Sequence, residues 1–228
     1  MSDTAHSDAP RSKQFLLAVP EAHVLEWIAR RLPRPVKPDH LTALGVLAAI
    51  GIAAAYVLSN GDEAWLWAAS GLLILHWLGD SLDGTLARVR RTERPKYGYY
   101  LDHLVDAIAT ALIGIGLGLS PYMLLATGLV LVIAYLVLSI NTYLETNTLG
   151  VFSLGYGRLG PTEARVGLIV INTVLALGVA PVISGFMVLD VVVLGAAGVM
   201  LLALLVRAAR NLRELARREP AVRVQAGS

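Results

Sequence analysis

Six apolar runs of membrane-spanning length, at roughly 41–59, 64–87, 99–119, 122–146, 162–180 and 186–206, leave this 228-residue chain few ways to fold. A run of about 20 apolar residues crosses the hydrocarbon as a helix, because a helix satisfies its own backbone polar groups where no water can. Composition agrees: 56% of the residues are hydrophobic, 16% are charged and the mean hydropathy is +0.63. The expectation is an all-α, polytopic membrane protein with six transmembrane helices. Six crossings put both termini on one side.

The connections alternate in charge. Asn60–Glu63, Ser120-Pro121 and Val179–Gly185 carry no Lys or Arg. All 19 lie in the N-terminal segment, in residues 88–96 and 158–165, and in the tail from Arg207. By the positive-inside rule that face is cytoplasmic, in what reads as a bacterial or archaeal cytoplasmic membrane. Pro38, Pro121 and Pro161 stand just before helices, and Asn60-Gly61-Asp62 marks a tight polar turn. A pI near 9.0 follows from this topology and from attraction to anionic lipid, so no nucleic-acid partner is needed. The absence of cysteine excludes disulfides, thiolate metal sites and a cysteine nucleophile.

The polar start, Met1 to Lys13, lacks the apolar core and cleavage site of a secretory signal, so the mature chain is expected to begin here. Residues 1–18 read as a disordered cytoplasmic N-terminus. Residues 19–36 read as an interfacial amphipathic helix, with Val24, Trp27, Ile28 and Arg31 or Leu32 at helical spacing. Residues 37–208 form the six-helix transmembrane catalytic domain, and 209–228 a cytoplasmic basic tail.

Four aspartates disturb this apolar frame: Asp80 and Asp83 near the end of the second run, Asp102 and Asp106 near the start of the third. At about 100° per residue each pair shares one helix face, and both pairs sit at cytoplasmic helix ends joined by Arg88–Tyr97. Carboxylates so close repel one another unless cations lie between them. All-oxygen donors without cysteine favour Mg²⁺ or Mn²⁺, one or two ions, over Zn²⁺; Mg²⁺ in turn favours a phosphate-bearing substrate. Gly84 and Ala87 keep the Asp83 face low, and Arg88 puts a fixed charge at the mouth. Arg90, Arg91, Arg94 and Lys96 add a field that would draw in polyphosphate. His76 stands one turn before Asp80, where it could hydrogen-bond it, although the position suits a buried structural histidine better. His103 follows Asp102 but points about 100° away, which suits packing or an indirect contact.

These residues resemble the signature of the CDP-alcohol phosphotransferases, Asp-x-x-Asp-Gly-x-x-Ala-Arg, a short gap, then Gly-x-x-x-Asp-x-x-x-Asp. Every fixed position is present, in Asp80, Asp83, Gly84, Ala87, Arg88, Gly98, Asp102 and Asp106. The gap from Arg88 to Gly98 is nine residues where eight is usual, a difference a loop absorbs. The resemblance implies a membrane enzyme of phospholipid biosynthesis that moves the phosphoryl-alcohol part of a CDP-linked lipid or alcohol to a hydroxyl acceptor and releases CMP. It implies Asp80, Asp83 and Asp102 as metal ligands and Asp106 as ligand or general base. It places Asp83, Gly84, Ala87, Arg88 and Gly98 against the CDP moiety, and it favours a homodimer.

The acceptor side is sought in the stretch that opens the fifth run. Pro161 and Glu163 suit a helix N-terminus, but Arg165 in the same turn opposes the helix dipole and calls for a phosphate or carboxylate partner. Arg158 and Arg165 are therefore the candidate acceptor-binding residues. The alternative from another class is an ion-coupled transporter that uses the aspartates as its ion site. That would place carboxylates near the midplane and repeat broken helices in two halves, and the sequence has neither.

Overall fold

The computed structural model describes residues 17–149, 160–179, 182–183 and 186–219. Among these the chain forms α1 (Ala18–Ala29), α2 (Pro38–Leu58), α3 (Trp65–Arg90), α4 (Pro95–Gly118), α5 (Leu125–Leu149), α6 (Pro161–Ala176) and α7 (Val188–Arg218). A two-residue antiparallel pair, β1 (Val182–Ile183) with β2 (Phe186–Met187), precedes α7. The N-terminal residues 1–16, the stretch 150–159 and the tail beyond 219 lie outside the described residues.

Proline starts α2, α4 and α6, where the first N–H has no helical partner to lose. Glu163 caps α6, accepting the Gly160 N–H at 2.9 Å. Six long helices stand where six runs were read, but only α2, α4, α5 and α7 are both long and apolar enough to span a membrane. Of the six expected spans, these four meet that measure by length and composition, and α3 and α6 do not. α3 has the length, at 26 residues, yet Ser70, His76, Asp80, Ser81 and Asp83 break its apolar run. α6 has 16 residues, about 24 Å, and stops where Gly178 turns left-handed at φ 77°, short of a hydrocarbon core of about 30 Å. α7 continues as helix to Arg218, through the first part of the basic tail.

The long helices pack as an arc in the order α6, α3, α2, α4, α5, α7. α2 packs against both α3 and α4, whereas those two helices barely touch, so their facing sides look across a gap. Small residues allow the tight crossings. A Cβ at Gly79 would lie 2.6 Å from the Gly45 nitrogen and 2.7 Å from the Leu41 oxygen, so α2 and α3 meet backbone to backbone one residue before Asp80. Gly114 makes room for a side chain of α5, with the Val132 Cγ2 2.5 Å from where its Cβ would stand, so this glycine serves packing within one chain.

α1 lies on α3 through one face. Leu25 and Ala29 are buried, with Ile28 and Leu32 beside them, against Leu41, Leu82 and Leu86. Val24 and Trp27 point outward and are exposed, with the Arg31 guanidinium 4.0 Å from the Trp27 ring. The i, i+3, i+4, i+7 set that includes Leu25 fits the α3 surface better than the set that includes the bulky indole.

Antiparallel succession collects one end of each helix on a single face of the molecule. There the Arg90 guanidinium donates to the carbonyls of Leu32 (3.0 Å), Pro33 (2.9 Å) and Val36, and Arg94 pairs with Asp39. At the opposite face Asn60 donates to the Leu119 carbonyl at 2.9 Å, and the buried Asp190 accepts the Leu124 N–H at 2.9 Å.

Candidate active site

The helical rise sets the four aspartates in two levels. Asp83 lies about 10 Å from the basic end of α3 and Asp102 about 10 Å from the start of α4; Asp80 and Asp106 lie about 15 and 16 Å in. Because α3 and α4 run antiparallel, the outer level pairs Asp83 with Asp102 and the inner level pairs Asp80 with Asp106. Asp106 is within hydrogen-bonding reach of Asp80 and feels the charges of Asp102 and Arg165, while Asp83 feels Asp102 and Asp80. All four are partly buried. From α5, Tyr135 and Tyr143 come within electrostatic reach of Asp106. The two pairs read from the sequence thus converge across the gap between α3 and α4.

Each member of the cluster is held by particular neighbours. The Thr42 hydroxyl, from the first turns of α2, donates to Asp83 Oδ2 at 2.5 Å, and the Gly84 N–H donates to Asp83 Oδ1. Arg165 Nη2 donates to Asp80 Oδ2 at 2.6 Å, with side chains 14% and 17% exposed. The carboxylate partner that a cation in the first turn of α6 required is therefore Asp80. His103 packs between Tyr99 and Tyr143, with ring centroids 4.1 and 4.7 Å away. Its Nδ1 donates to the Tyr99 carbonyl at 2.7 Å and lies 3.6 Å from Asp102 Oδ2. His76 is buried, as suits a structural histidine, and its Nδ1 has no hydrogen-bond partner.

As a donor set, four carboxylates facing one another with one guanidinium among them suit a hard divalent cation. Their present arrangement is not a ready cage. Among the described residues no three acidic or histidine side chains are gathered as ligands, because Asp80 is turned to Arg165 and Asp83 to Thr42. The metal set expected from sequence is thus brought together by helix but not by rotamer.

The sequence pattern of the CDP-alcohol phosphatidyltransferase family matches residues 36–203, from the start of α2 into α7. The chain belongs to that family. It is also similar to a curated protein, the phosphatidylinositol phosphate synthase of Cutibacterium acnes (strain DSM 16379 / KPA171202), with 34% identity over 99 residues. That match covers 43% of this chain and 45% of the relative, so it spans less than half of either protein.

In this member of the family the remaining signature residues line one stretch. Gly84 and Ala87 are partly buried on α3; a Cβ at Gly84 would meet only the Arg88 guanidinium, at 3.5 Å. Arg88 is exposed and donates to Thr85 Oγ1 at 3.0 Å. Gly98 is exposed in the first turn of α4, with open space where a side chain would stand. Of the basic residues read as a field for polyphosphate, Arg90 and Arg94 have structural partners: Arg90 clamps the α1–α2 loop, and Arg94 donates a hydrogen bond to the Asp39 carboxylate, which raises the Arg94 pKa. Arg158 lies outside the described residues, which leaves Arg165 as the described cation of the expected acceptor pair.

Three contributors escaped the sequence reading. Thr42 lies 41 residues from the aspartate it holds. Gly79 gave a local signal, being adjacent to Asp80, but its partner Gly45 lies on another helix. Glu21 accepts the Trp77 indole N–H at 2.7 Å and the Thr162 hydroxyl at 2.9 Å, so it joins α1 to α3 and α6 at once.

Proposed function

We propose that this chain is a metal-dependent phosphatidyltransferase of phospholipid biosynthesis, moving the phosphatidyl group of a CDP-diacylglycerol donor to a hydroxyl of a phosphorylated polyol with release of CMP. The observation that carries the reading is the meeting of the four signature aspartates with Arg165 at one end of the helix arc. Carboxylates alone would suit a cation and a pyrophosphate; a guanidinium on a different helix, reaching the same cluster, supplies a hold for a second anionic group. The printed name of the Cutibacterium acnes relative supports a phosphorylated acceptor. Family membership favours group transfer over the ion-coupled transporter.

In this reading Asp80, Asp83, Asp102 and Asp106 hold one or two Mg²⁺ or Mn²⁺ ions. The ions would neutralise the donor pyrophosphate and ease departure of CMP. Asp83, Gly84, Ala87, Arg88 and Gly98 take the CDP moiety, with the low surface at Gly84 admitting it close to the α3 backbone. Arg165, with Arg158, holds the acceptor phosphate. Asp106 accepts the proton of the acceptor hydroxyl. That oxygen bonds to the phosphorus bearing the diacylglycerol, and the bond from this phosphorus to the bridging pyrophosphate oxygen breaks, with its electrons leaving on CMP. The basic end of the arc, the site and both termini face the cytoplasm, and two copies pair as a homodimer.

The test is release of radiolabelled CMP from CDP-diacylglycerol by the purified protein in lipid, with inositol phosphate, glycerol phosphate, inositol, choline or ethanolamine, and with Mg²⁺, Mn²⁺ or chelator. Metal-dependent release with a phosphorylated acceptor, and little with the unphosphorylated alcohols, is expected. Release that prefers the unphosphorylated alcohols would overturn the acceptor assignment. No metal-dependent release with any acceptor, or ion flux without metal dependence, would overturn the whole reading.

A further inference from the structure

α6 is the shortest of the six long helices, packs chiefly on α3, and carries the Arg165 that reaches the aspartates. Its apolar contacts through Leu168, Ile169 and Ile171 are of a kind that tolerates rotation or slip. Hydrogen bonds do not tolerate it, because their distance and angle limits are narrow. One buried polar chain crosses the bundle here. The Tyr56 hydroxyl of α2 donates to Asn172 Oδ1 at 3.1 Å, Asn172 Nδ2 donates to Ser70 Oγ of α3 at 3.3 Å, and the Ser70 hydroxyl donates to the Leu66 carbonyl at 3.0 Å. Tyr56 and Asn172 are fully buried, which makes the loss of any link costly.

We propose that Asn172 is a positioning residue for Arg165, and that through Tyr56 and Ser70 it fixes the rotation and depth of α6 so that the guanidinium arrives at Asp80. Arg165 and Asn172 are seven residues apart, two turns, and so share a face within about 20°. Another attachment of α6, from the Thr162 hydroxyl to Glu21, lies on the other side of Arg165. Thr162, Arg165 and Asn172 fall within a sector of about 80° and about 15 Å of helix, so the cation is pinned from both ends. Asn172 touches neither the aspartates nor Arg165 in any hydrogen bond; it acts through the helix.

This inference rests on the reading of Arg165 as the cation that holds the acceptor phosphate, and the experiment separates the two. Steady-state kinetics are measured for Asn172→Leu, Tyr56→Phe, Arg165→Gln and the Asn172→Leu/Arg165→Gln pair, varying CDP-diacylglycerol and, separately, inositol phosphate or glycerol phosphate. Asn172→Leu is expected to raise the acceptor KM about tenfold while the donor KM and kcat stay within about twofold, since small misplacements of a binding group cost at least this much. Tyr56→Phe, which keeps the ring, should move the acceptor KM in the same direction by less. In the Arg165→Gln background Asn172→Leu should add nothing. If Arg165→Gln leaves the acceptor KM unchanged, the reading of Arg165 fails. If Arg165→Gln raises it but Asn172→Leu and Tyr56→Phe do not, or if they depress kcat and raise both KM values alike, the positioning role fails.

Discussion

Asp106 and Asp80 meet at the deeper level of the site, and this depth suits Asp106 to taking a proton away from bulk water. Asp106→Asn keeps the volume and removes the basic oxygen. CMP release by the purified variant in lipid is expected to fall about 10²–10⁴-fold with the helical circular dichroism unchanged, and near-full activity would remove Asp106 from the base role. Thr42 acts one step further out, by orienting Asp83 through its 2.5 Å hydrogen bond. Thr42→Val preserves shape and loses the donor. A Mn²⁺ titration followed by electron paramagnetic resonance should show affinity weakened about tenfold or more, the usual effect of removing a group that orients a ligand. The aspartates themselves were legible in the sequence, because charge inside an apolar run is anomalous without reference to any fold. Thr42 was not: a threonine near a helix start has many ordinary uses, and only the crossing of α2 over α3 brings it to Asp83.

At the level of the helices, the crossing of α2 and α3 is set by missing side chains. Gly79→Ala would place a methyl 2.6 Å from the Gly45 nitrogen and 2.7 Å from the Leu41 oxygen, and backbone atoms cannot move aside singly. The helices must separate, at about 1–3 kcal/mol, and Asp80 moves with them. Thermal unfolding in detergent should show the loss of stability together with reduced CMP release; unchanged stability would mean that the crossing is looser than described. Helix existence was readable from the apolar runs and the prolines at their starts. The face that each helix buries was less so, as α1 shows: Val24, Trp27 and Leu25, Ala29 are both helically spaced sets, and the shape of α3 chose between them.

Across the whole molecule the arc has two kinds of fastening. Its α6 side is tied by Glu21 and Asn172, and its α7 side by an ion pair between Arg207 and Glu145, 2.6 Å long with side chains 15% and 9% exposed. Removing one partner strands the other charge in a dry place, so Glu145→Gln should cost about 3–5 kcal/mol, whereas the joint change Glu145→Leu with Arg207→Met should recover most of it. Unfolding of the three variants in lipid nanodiscs checks this, and a double variant as unstable as the single would show that the pair is not what joins α5 to α7. Exposed Val191, Val192, Leu194, Leu202 and Leu205 along α7 suit contact with lipid, so the outer wall of the arc contributes little to its own closure.

By itself the sequence determined the helical class, the sidedness of the charge and the acidic signature. Each of these rests on local quantities: the length of an apolar run, the count of cations in a loop, the spacing of carboxylates along one helix. Tertiary structure decided which groups meet. It turned Asp80 toward Arg165, gave Asp83 to Thr42, spent Arg90 on the α1–α2 loop, and set α6 by an asparagine in the middle of the bundle. Those pairings join residues 41 to 102 positions apart in the chain, with Arg90 reaching back 58, and depend on helix crossings fixed by the packing of backbones and side chains. Periodicity within one segment does not encode them.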